Sequence, residues 1–339
     1  MRSELLNLLR CAHCGAQQAF TLEVLEEDAV EVVRGAVACC KCGRRFAVSE
    51  GCVDLLGAEP SRAALEEQRA QAQLDEHTLA ESDVYRDTVS DPERMRAFVL
   101  NLPLGYPDTE EQAPLVADAI ERLEFQGTET VLDLGAGYGW TTAQLADRGG
   151  HCVAVDVSTL YLPRSRHFAL AGRYFDRVLA DMASLPLASY AFDVVFANAA
   201  VHHSPDLAAT LREVVRVLKP GGRVVFVNEP VVGVLEHGRK RTFGEEARAQ
   251  GFSEAAYTTR EWRRAFRSAG FSVTLEISPV GLVEKAERRR QQPAYARFPR
   301  RQALALLARP WLAKGLLRCL RAPILWLHPV NIVIHGRKR

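Results

Sequence analysis

The residues best suited to chemistry fall into three groups. The first is cysteine: five of the eight lie between Cys11 and Cys42. Cys11 and Cys14 form one C-x-x-C and Cys39 and Cys42 another, each followed directly by a glycine, Gly15 or Gly43. Two such knuckles bring four thiolates to the corners of a tetrahedron, the donor set of structural zinc. Four sulfurs fill that site, so neither Cys40 nor His13 is required as a ligand and no position stays open for catalysis. The second group is Asp133-Leu-Gly135-Ala-Gly137-Tyr-Gly139, with two later acids, Asp156 and Asp181, each closing an apolar run. Glycine permits positive φ and carries no Cβ, so such a backbone can come close to a ligand. The third group is His202, His203 and Glu229. A histidine titrates near neutral pH and can serve as a base, although packing or orienting is an equally ordinary role.

These groups need elements to hold them. Val131, Leu132 and Leu134 read as a short buried strand, the glycines as a sharp turn, and a helix begins near Trp140 and Thr141. A strand, a glycine turn and a helix start form a ligand site at the carboxyl edge of an open α/β sheet. Further strands are expected at Cys152–Asp156, Arg177–Asp181, Phe192–Asn198, Arg223–Asn228, Phe271–Ile277 and Asn331–Ile334, with helices at Leu207–Leu218 and Thr259–Ala269 between them. Continuous apolar strands alternating with helices imply a parallel sheet covered on both faces. Upstream, the stretch from Phe20 to Val37 suits two short strands between the knuckles, which makes a zinc ribbon. Ala58 to about Asp91 is polar and helix-favouring, as a connecting helix would be, and Asn101–Pro107 breaks structure with two prolines and a glycine. A helix near Pro114 carries Leu115, Val116, Ala119, Ile120 and Leu123 as an apolar stripe. The expected organisation is a zinc ribbon over 1–57, a helical connector over 58–111 and an α/β domain over 112–339. Within the last, 280–329 forms a basic and apolar helical insertion before the final strand.

The glycine spacing differs from the G-x-G-x-x-G of dinucleotide binders. It resembles motif I of class I S-adenosylmethionine (SAM) methyltransferases, especially those acting on quinones and other small molecules. The resemblance covers 112–278 and includes Phe192-Asp193-Val-Val and the Leu-Lys-Pro-Gly-Gly that ends at Gly222. It implies a Rossmann-like sheet of seven strands with helices on both faces, and SAM as cofactor. By the same resemblance Gly135, Gly137 and Gly139 lie along the methionine portion and Asp133 helps to hold its ammonium group. Asp156 takes the ribose hydroxyls, Asp181 and the Met182 backbone N–H read adenine, and Asn198 joins the cofactor contacts. His202, His203 and Glu229 follow strands four and five, where the acceptor approaches. The ribbon, with Leu5-Leu6-x-x-Leu9-x-Cys11 before it and Arg45–Leu56 after it, resembles the small activator of tRNA and protein methyltransferases. It also resembles the N-terminal zinc domain of rRNA guanine-N1 methyltransferases, but Cys42 stands where those have a later histidine.

Composition and charge bound the partners. Apolar residues at 47% and charged residues at 25% are ordinary for a globular protein. No run of 18 apolar residues predicts a spanning helix, and the first ten residues lack a secretory core, so the expected location is the cytosol. Thiols stay reduced there and paired cysteines point to metal. The net charge of +1 hides an asymmetry: 285–339 holds 14 Lys or Arg against one acid, Glu287, and leaves −12 on 1–284. The Arg288-Arg289-Arg290 run with Trp311, Leu312, Leu316 and Trp326 suits peripheral contact between 285–321 and an anionic membrane or greasy substrate. RNA is the second candidate partner, opposed by the acidic remainder. The reading of function is therefore methyl transfer from SAM to a small or lipid-like acceptor by direct displacement. The alternatives are an RNA methyltransferase, an inactive SAM-binding scaffold and a nicotinamide oxidoreductase.

Overall fold

The computed structural model describes residues 1–56, 61–204, 206–232, 255, 257–280, 283, 287, 302, 305, 308–309, 311–312 and 330–339. Apart from those single positions, the expected insertion over 280–329 lies outside the described residues.

Four strands come first: β1 (Phe20–Glu27), β2 (Val32–Cys39), β3 (Arg45–Ser49) and β4 (Cys52–Asp54). They form an antiparallel meander in which Gly35 faces β1 so closely that a Cβ would stand 2.1 Å from the Glu23 carbonyl oxygen. Four helices follow: α1 (Arg62–Glu81), α2 (Asp83–Ser90), α3 (Pro92–Asn101) and α4 (Pro107–Glu121). The connector is thus several helices rather than one, because Ser82 and Asp91 each cap a new start. The helix expected from Pro114 begins instead at Pro107, whose missing N–H costs nothing in the first turn, and Pro114 sits inside it.

The alternating region is β5 (Thr130–Leu134), α5 (Trp140–Ala146), β6 (His151–Asp156), α6 (Tyr161–Arg164), α7 (Arg166–Leu170), β7 (Asp176–Leu179) and β8 (Phe192–Asn198). A 3-10 turn at Val201–His203 leads to α8 (Leu207–Val217), β9 (Leu218–Val231), α9 (Thr259–Ser268), β10 (Phe271–Glu276) and β11 (Val330–Lys338). β7 stops two residues short of Asp181, which lies in the loop beyond it. β9 starts earlier than expected: Leu218 already pairs with Phe192, and a register shift at Lys219-Pro-Gly-Gly222 precedes the Val194–Arg223 pairing.

All the strands join one sheet in the order β1-β2-β3-β4-β7-β6-β5-β8-β9-β11-β10. β7, β6, β5, β8 and β9 run parallel, while β11 enters antiparallel between β9 and β10. Alternate side chains of the parallel strands supply two cores. Leu132, Val153 and Val195 pack with α8, with Trp262 and Phe266 of α9, and with Leu5, Val37 and Val53 of the N-terminal strands. Val131, Ala154 and Phe196 pack with Val99, Val116, Trp140 and Phe168 on the opposite face.

The N-terminal strands are fused to the sheet. β4 pairs parallel with β7, and the Arg10 N–H donates to the Pro186 carbonyl at 3.0 Å. Beneath this seam the fully buried Arg177 of β7 meets the fully buried Glu31 of the β1–β2 turn, which also accepts from Arg166 Nε at 3.2 Å. Only Nη2 of Arg177 is paired, to Glu31 and to the Gly51 carbonyl, and Nε and Nη1 have no hydrogen-bond partner among the described residues, so Glu31 is the main compensation for that charge. Removing one member of a buried pair strands the other. Glu31 also accepts from the buried Met1 ammonium at 2.8 Å, so Glu31→Ala is expected to lower stability by about 3–5 kcal/mol in denaturant titration, and joint replacement by Glu31→Leu and Arg177→Met to recover only part of that loss, because the ammonium stays without its partner.

Candidate cofactor and acceptor site

The glycine turn is held from two sides. Gly135 and Ala136 both donate their N–H to the Val155 carbonyl of β6, at 2.8 and 3.1 Å. On the other side a Cβ at Gly135 would come within 2.4 Å of the Ala200 Cβ. Gly135 is therefore required by packing as well as by its φ of +68°. Gly137, at φ +52°, has nothing within 4 Å of its Cβ position: it opens onto space.

That space is a cavity of about 240 Å³ at the carboxyl ends of β5, β6 and β8. Gly137, Asp156, Met182, Ala200 and His203 line it, and α1 roofs it with Glu67, Gln71 and Leu74. Gln71 Oε1 is buried and has no hydrogen-bond partner among the described residues.

Three acids surround the turn. Asp133 is 1% exposed; its Oδ2 accepts from Thr142 Oγ1 at 2.6 Å, and its Oδ1 has no hydrogen-bond partner among the described residues. Burial pushes its carboxyl up to about 7 against the pull of the Thr142 hydroxyl, and the nearby Asp156 adds to the rise. Asp156 is also raised by burial, although Oδ2 accepts from the Gly137 N–H and Oδ1 from the Ser158 N–H, both at 2.7 Å. Asp181 accepts from the Ala183 N–H at 2.8 Å and from Ser61 Oγ at 2.5 Å, and Ser61 is itself the N-cap of α1.

The third group divides. Glu229 is fully buried and accepts from the backbone N–H of Ala200, Val201 and His202 at 3.0–3.2 Å and from His202 Nδ1 at 3.0 Å. Four donors account for the four lone-pair directions of a carboxylate, so Glu229 fixes the turn after β8. His202 is buried against it, with its ring 4.4 Å from that of His203. His203 faces the cavity, its Nδ1 3.7 Å from Glu67 Oε1; burial, reinforced by His202, pushes it down to about 3. Asn198 is off the cavity wall, donating to Gln112 Oε1 at 2.6 Å and accepting from Asn228 Nδ2 at 2.7 Å.

Sequence reasoning missed Glu67, Gln71 and Leu74, since α1 has no apolar stripe to mark a buried face. It also missed Tyr161, which lines the cavity five residues after Asp156 and packs 4.7 Å from Tyr138 of the glycine turn. The aromatic residue inside the glycine motif was the available signal for that contact.

At the far end of the molecule the Sγ atoms of Cys11, Cys14, Cys39 and Cys42 all lie within 4.8 Å of one another, with Cys11–Cys42 and Cys14–Cys39 at 3.7 Å. A tetrahedron of sulfurs about 2.3 Å from zinc has edges of about 3.8 Å, so the cluster fits that ion. Gly15 and Gly43 take φ of +74° and +72°, and each donates its N–H back to the first cysteine of its knuckle. Cys40 lies outside the cluster, and His13 Nδ1 meets Arg44 Nη1 at 2.9 Å.

With this geometry in hand, likeness to known proteins becomes informative. A methyltransferase domain family matches residues 132–226. The demethylmenaquinone methyltransferase of Corynebacterium efficiens is 39% identical over 117 residues, covering 34% of this chain and 49% of that protein. Methyltransferase GfsG of Streptomyces halstedii is 36% identical over 157 residues, covering 42% of this chain and 56% of that protein. The chain thus spans about half the length of the curated relatives it matches. Among solved structures, the YcgJ protein of Bacillus subtilis aligns over 66% of this chain and 97% of its own at 20% identity, with a TM-score of 0.46.

The raised carboxyl of Asp133 has a consequence for the ligand-free protein. Its folded pKa lies above the unfolded value, so the native state holds the extra proton, and stability falls as pH rises from about 4 to about 7. Asp133→Asn removes that titration. In urea titrations between pH 5 and pH 8 the variant is expected to show a flatter stability profile than the parent and to be the more stable of the two at pH 8.

Proposed function

We propose that this chain is a SAM-dependent methyltransferase acting on a small-molecule acceptor by direct displacement. One observation carries the reading: an open Gly137, the unpartnered Asp133 oxygen and the cavity-facing Asp156 gather at one carboxyl edge. A buried acceptor without a donor is costly, and an ammonium group is a donor that suits Asp133. Asp156 retains lone pairs beyond its two backbone bonds and suits a pair of hydroxyls. Met182 on the wall and Asp181 beside it suit adenine, with Gly135, Gly139 and Asn198 completing the proposed contact set. When bound, SAM supplies an electrophilic methyl group on a sulfonium.

The chain's own contribution is alignment, which can be worth about 7–11 kcal/mol. His203 is too weak a base to hold a proton near neutral pH, so we assign it to orienting the acceptor by accepting a hydrogen bond. His202 and Glu229 keep His203 in place. Relatives named for demethylmenaquinone support a quinone-like acceptor over RNA, and the acidic body of the chain also opposes a polyanion. The basic segment 285–321 is the proposed contact for an anionic membrane surface. Among the described residues no helix is long and apolar enough to cross a membrane. This reading keeps the proposed division into ribbon (1–57), connector (58–111) and methyltransferase domain (112–339).

Titration calorimetry on the full chain tests the cofactor half. Asp156→Ala is expected to lose about 1.5–3 kcal/mol of SAM binding, the worth of a hydrogen bond to a charged group. Unchanged affinity would remove the ribose assignment. Methyl-labelled SAM supplied with a demethylated quinone in detergent, and separately with total RNA, tests the acceptor half. Label is expected in the quinone; label in RNA alone would reverse the choice, and label in neither would favour a scaffold.

The four thiols are proposed to hold one structural zinc per chain. Metal analysis of protein purified without chelator is expected to find one equivalent, lost in a variant carrying Cys11→Ser and Cys42→Ser. Because metal binding and folding are coupled in small zinc modules, chelation is expected to speed hydrogen exchange in β1–β3 before β5 and β8. Full retention of zinc by the variant would contradict the ligand set.

A further inference from the structure

Helix α9 carries a charge that the cofactor site does not use. Its inner face holds Thr259, Trp262 and Phe266, and the two aromatic residues are fully buried. Its outer face holds Arg260, Arg263, Arg264 and Arg267. Their spacing of i, i+3, i+4 and i+7 puts the four guanidinium groups in one stripe. None of the four has an ion pair or a side-chain hydrogen bond among the described residues. The acid of this helix, Glu261, is folded back into the capping box, where it accepts from the Thr258 N–H at 2.8 Å and from Thr258 Oγ1 at 3.0 Å. Helix stability argues against such a stripe. Like charges three and four residues apart repel, and Arg260 in the first turn meets the positive end of the helix dipole. A face that serves only solubility usually mixes both signs, whereas this one carries a single sign.

Beside the stripe, α8 and α9 leave a groove of about 410 Å³. Leu207, Ala208, Ala265 and Ala269 give it apolar walls, and Arg212 of α8 and Arg264 of α9 line it from the two helices. A guanidinium on each helix with apolar surface between them suits a phosphate headgroup attached to hydrocarbon. RNA would gain less here, because single strands are gripped by stacking on exposed aromatic rings. Trp262 and Phe266 are buried, and Tyr257, which also lines the groove, packs edge-on against Trp262 at 5.1 Å. We propose that the arginine face of α9, with Arg212 across the groove, is a docking surface for an anionic lipid bilayer. This surface is separate in sequence from 285–321. The choice of a bilayer rests on the reading of a lipid-like acceptor. α9 starts at the carboxyl edge of the sheet, where Tyr257 bridges to Val231 and the Ala255 N–H donates to the His202 carbonyl at 2.9 Å. The stripe therefore begins beside the turn that lines the cofactor cavity, and docking there brings a membrane-held acceptor to the edge where the methyl group is held.

Vesicle flotation of the full chain, without SAM or acceptor, tests the proposal. Pure phosphatidylcholine vesicles are compared with vesicles in which about a third of the lipid is phosphatidylglycerol, where each basic residue at the surface is worth about fivefold in binding. The parent protein is expected to float only with the anionic vesicles. Arg260→Gln combined with Arg264→Gln is expected to weaken that binding about 25-fold, and Arg260→Lys with Arg264→Lys to keep most of it. Arg34→Gln with Arg45→Gln, on β2 and β3 at the other end of the strand order, removes the same net charge and is expected to have a far smaller effect. The α9 glutamine pair is also expected to keep or raise stability in urea, because it relieves repulsion along the helix. Lost flotation together with lost stability would assign the arginines to folding and overturn the proposal. Equal weakening by the two glutamine pairs would overturn it too, leaving net charge or segment 285–321 as the cause. So would a parent protein that ignores both vesicles, and tight, salt-dependent binding to RNA lost in the α9 pair would then identify RNA as the partner. No methyl transfer is read in this experiment, so its failure and the failure of the acceptor assay are separately recognisable.

Discussion

The structure turns on how closely three strand ends approach one another at Gly135. Its N–H is bound to the Val155 carbonyl of β6, and its missing Cβ leaves the volume that Ala200 occupies after β8. β5, β6 and the turn after β8 are thereby held together. The other half of the constraint is Glu229, which collects the N–H groups of Ala200, Val201 and His202 and so prevents that turn from backing away. A buried carboxylate is tolerable where charge-assisted hydrogen bonds replace its lost solvation, and here the replacement is complete. The cavity is what remains when these contacts are satisfied.

Much of this was legible in the sequence, for definite physical reasons. Strands buried on both faces must be continuously apolar, so Val131–Leu134, Cys152–Asp156 and Phe192–Asn198 marked themselves. The Asn331–Ile334 run was readable as a last strand, but its extent to Lys338 and its place between β9 and β10 were not. The knuckle cysteines were readable from their C-x-x-C spacing, and their four sulfurs do come together. The roof of the cavity was not. α1 reads as polar because the face it turns to the cavity carries Glu67 and Gln71, and a helix over a polar ligand site has no hydrophobic period to betray it. The role of Glu229 was also hidden. A lone acid after a strand suggests a base, and only coordinates show that its four acceptor positions are filled by the chain.

The N-terminal strands show how a small module can become part of a larger one. β7 would otherwise present an open edge, with unpaired N–H and C=O groups. β4 covers it, with Val53 opposite Val178, and the buried Glu31–Arg177 pair ties the hairpin turn to the same strand. A buried ion pair adds little net stability compared with apolar packing, but it is intolerant of misalignment. The natural inference is that this pair sets where the ribbon docks, while Leu5, Val37 and Val53 against Leu185 and Leu187 supply most of the attraction.

The same reasoning applies to the acids of the cavity, with the opposite sign. Asp156 lines the cavity, and Asp133 lies buried close enough to feel its charge. In the ligand-free protein this arrangement is unfavourable: burial raises the carboxyls of both, and Asp156 adds to the rise at Asp133. Evolution toward stability alone would replace at least one of them by an amide or an apolar residue. Their joint presence, on β5 and on β6, makes sense if the compensating charge arrives with the ligand. A ligand that brings that charge would then stabilise the folded protein as it binds.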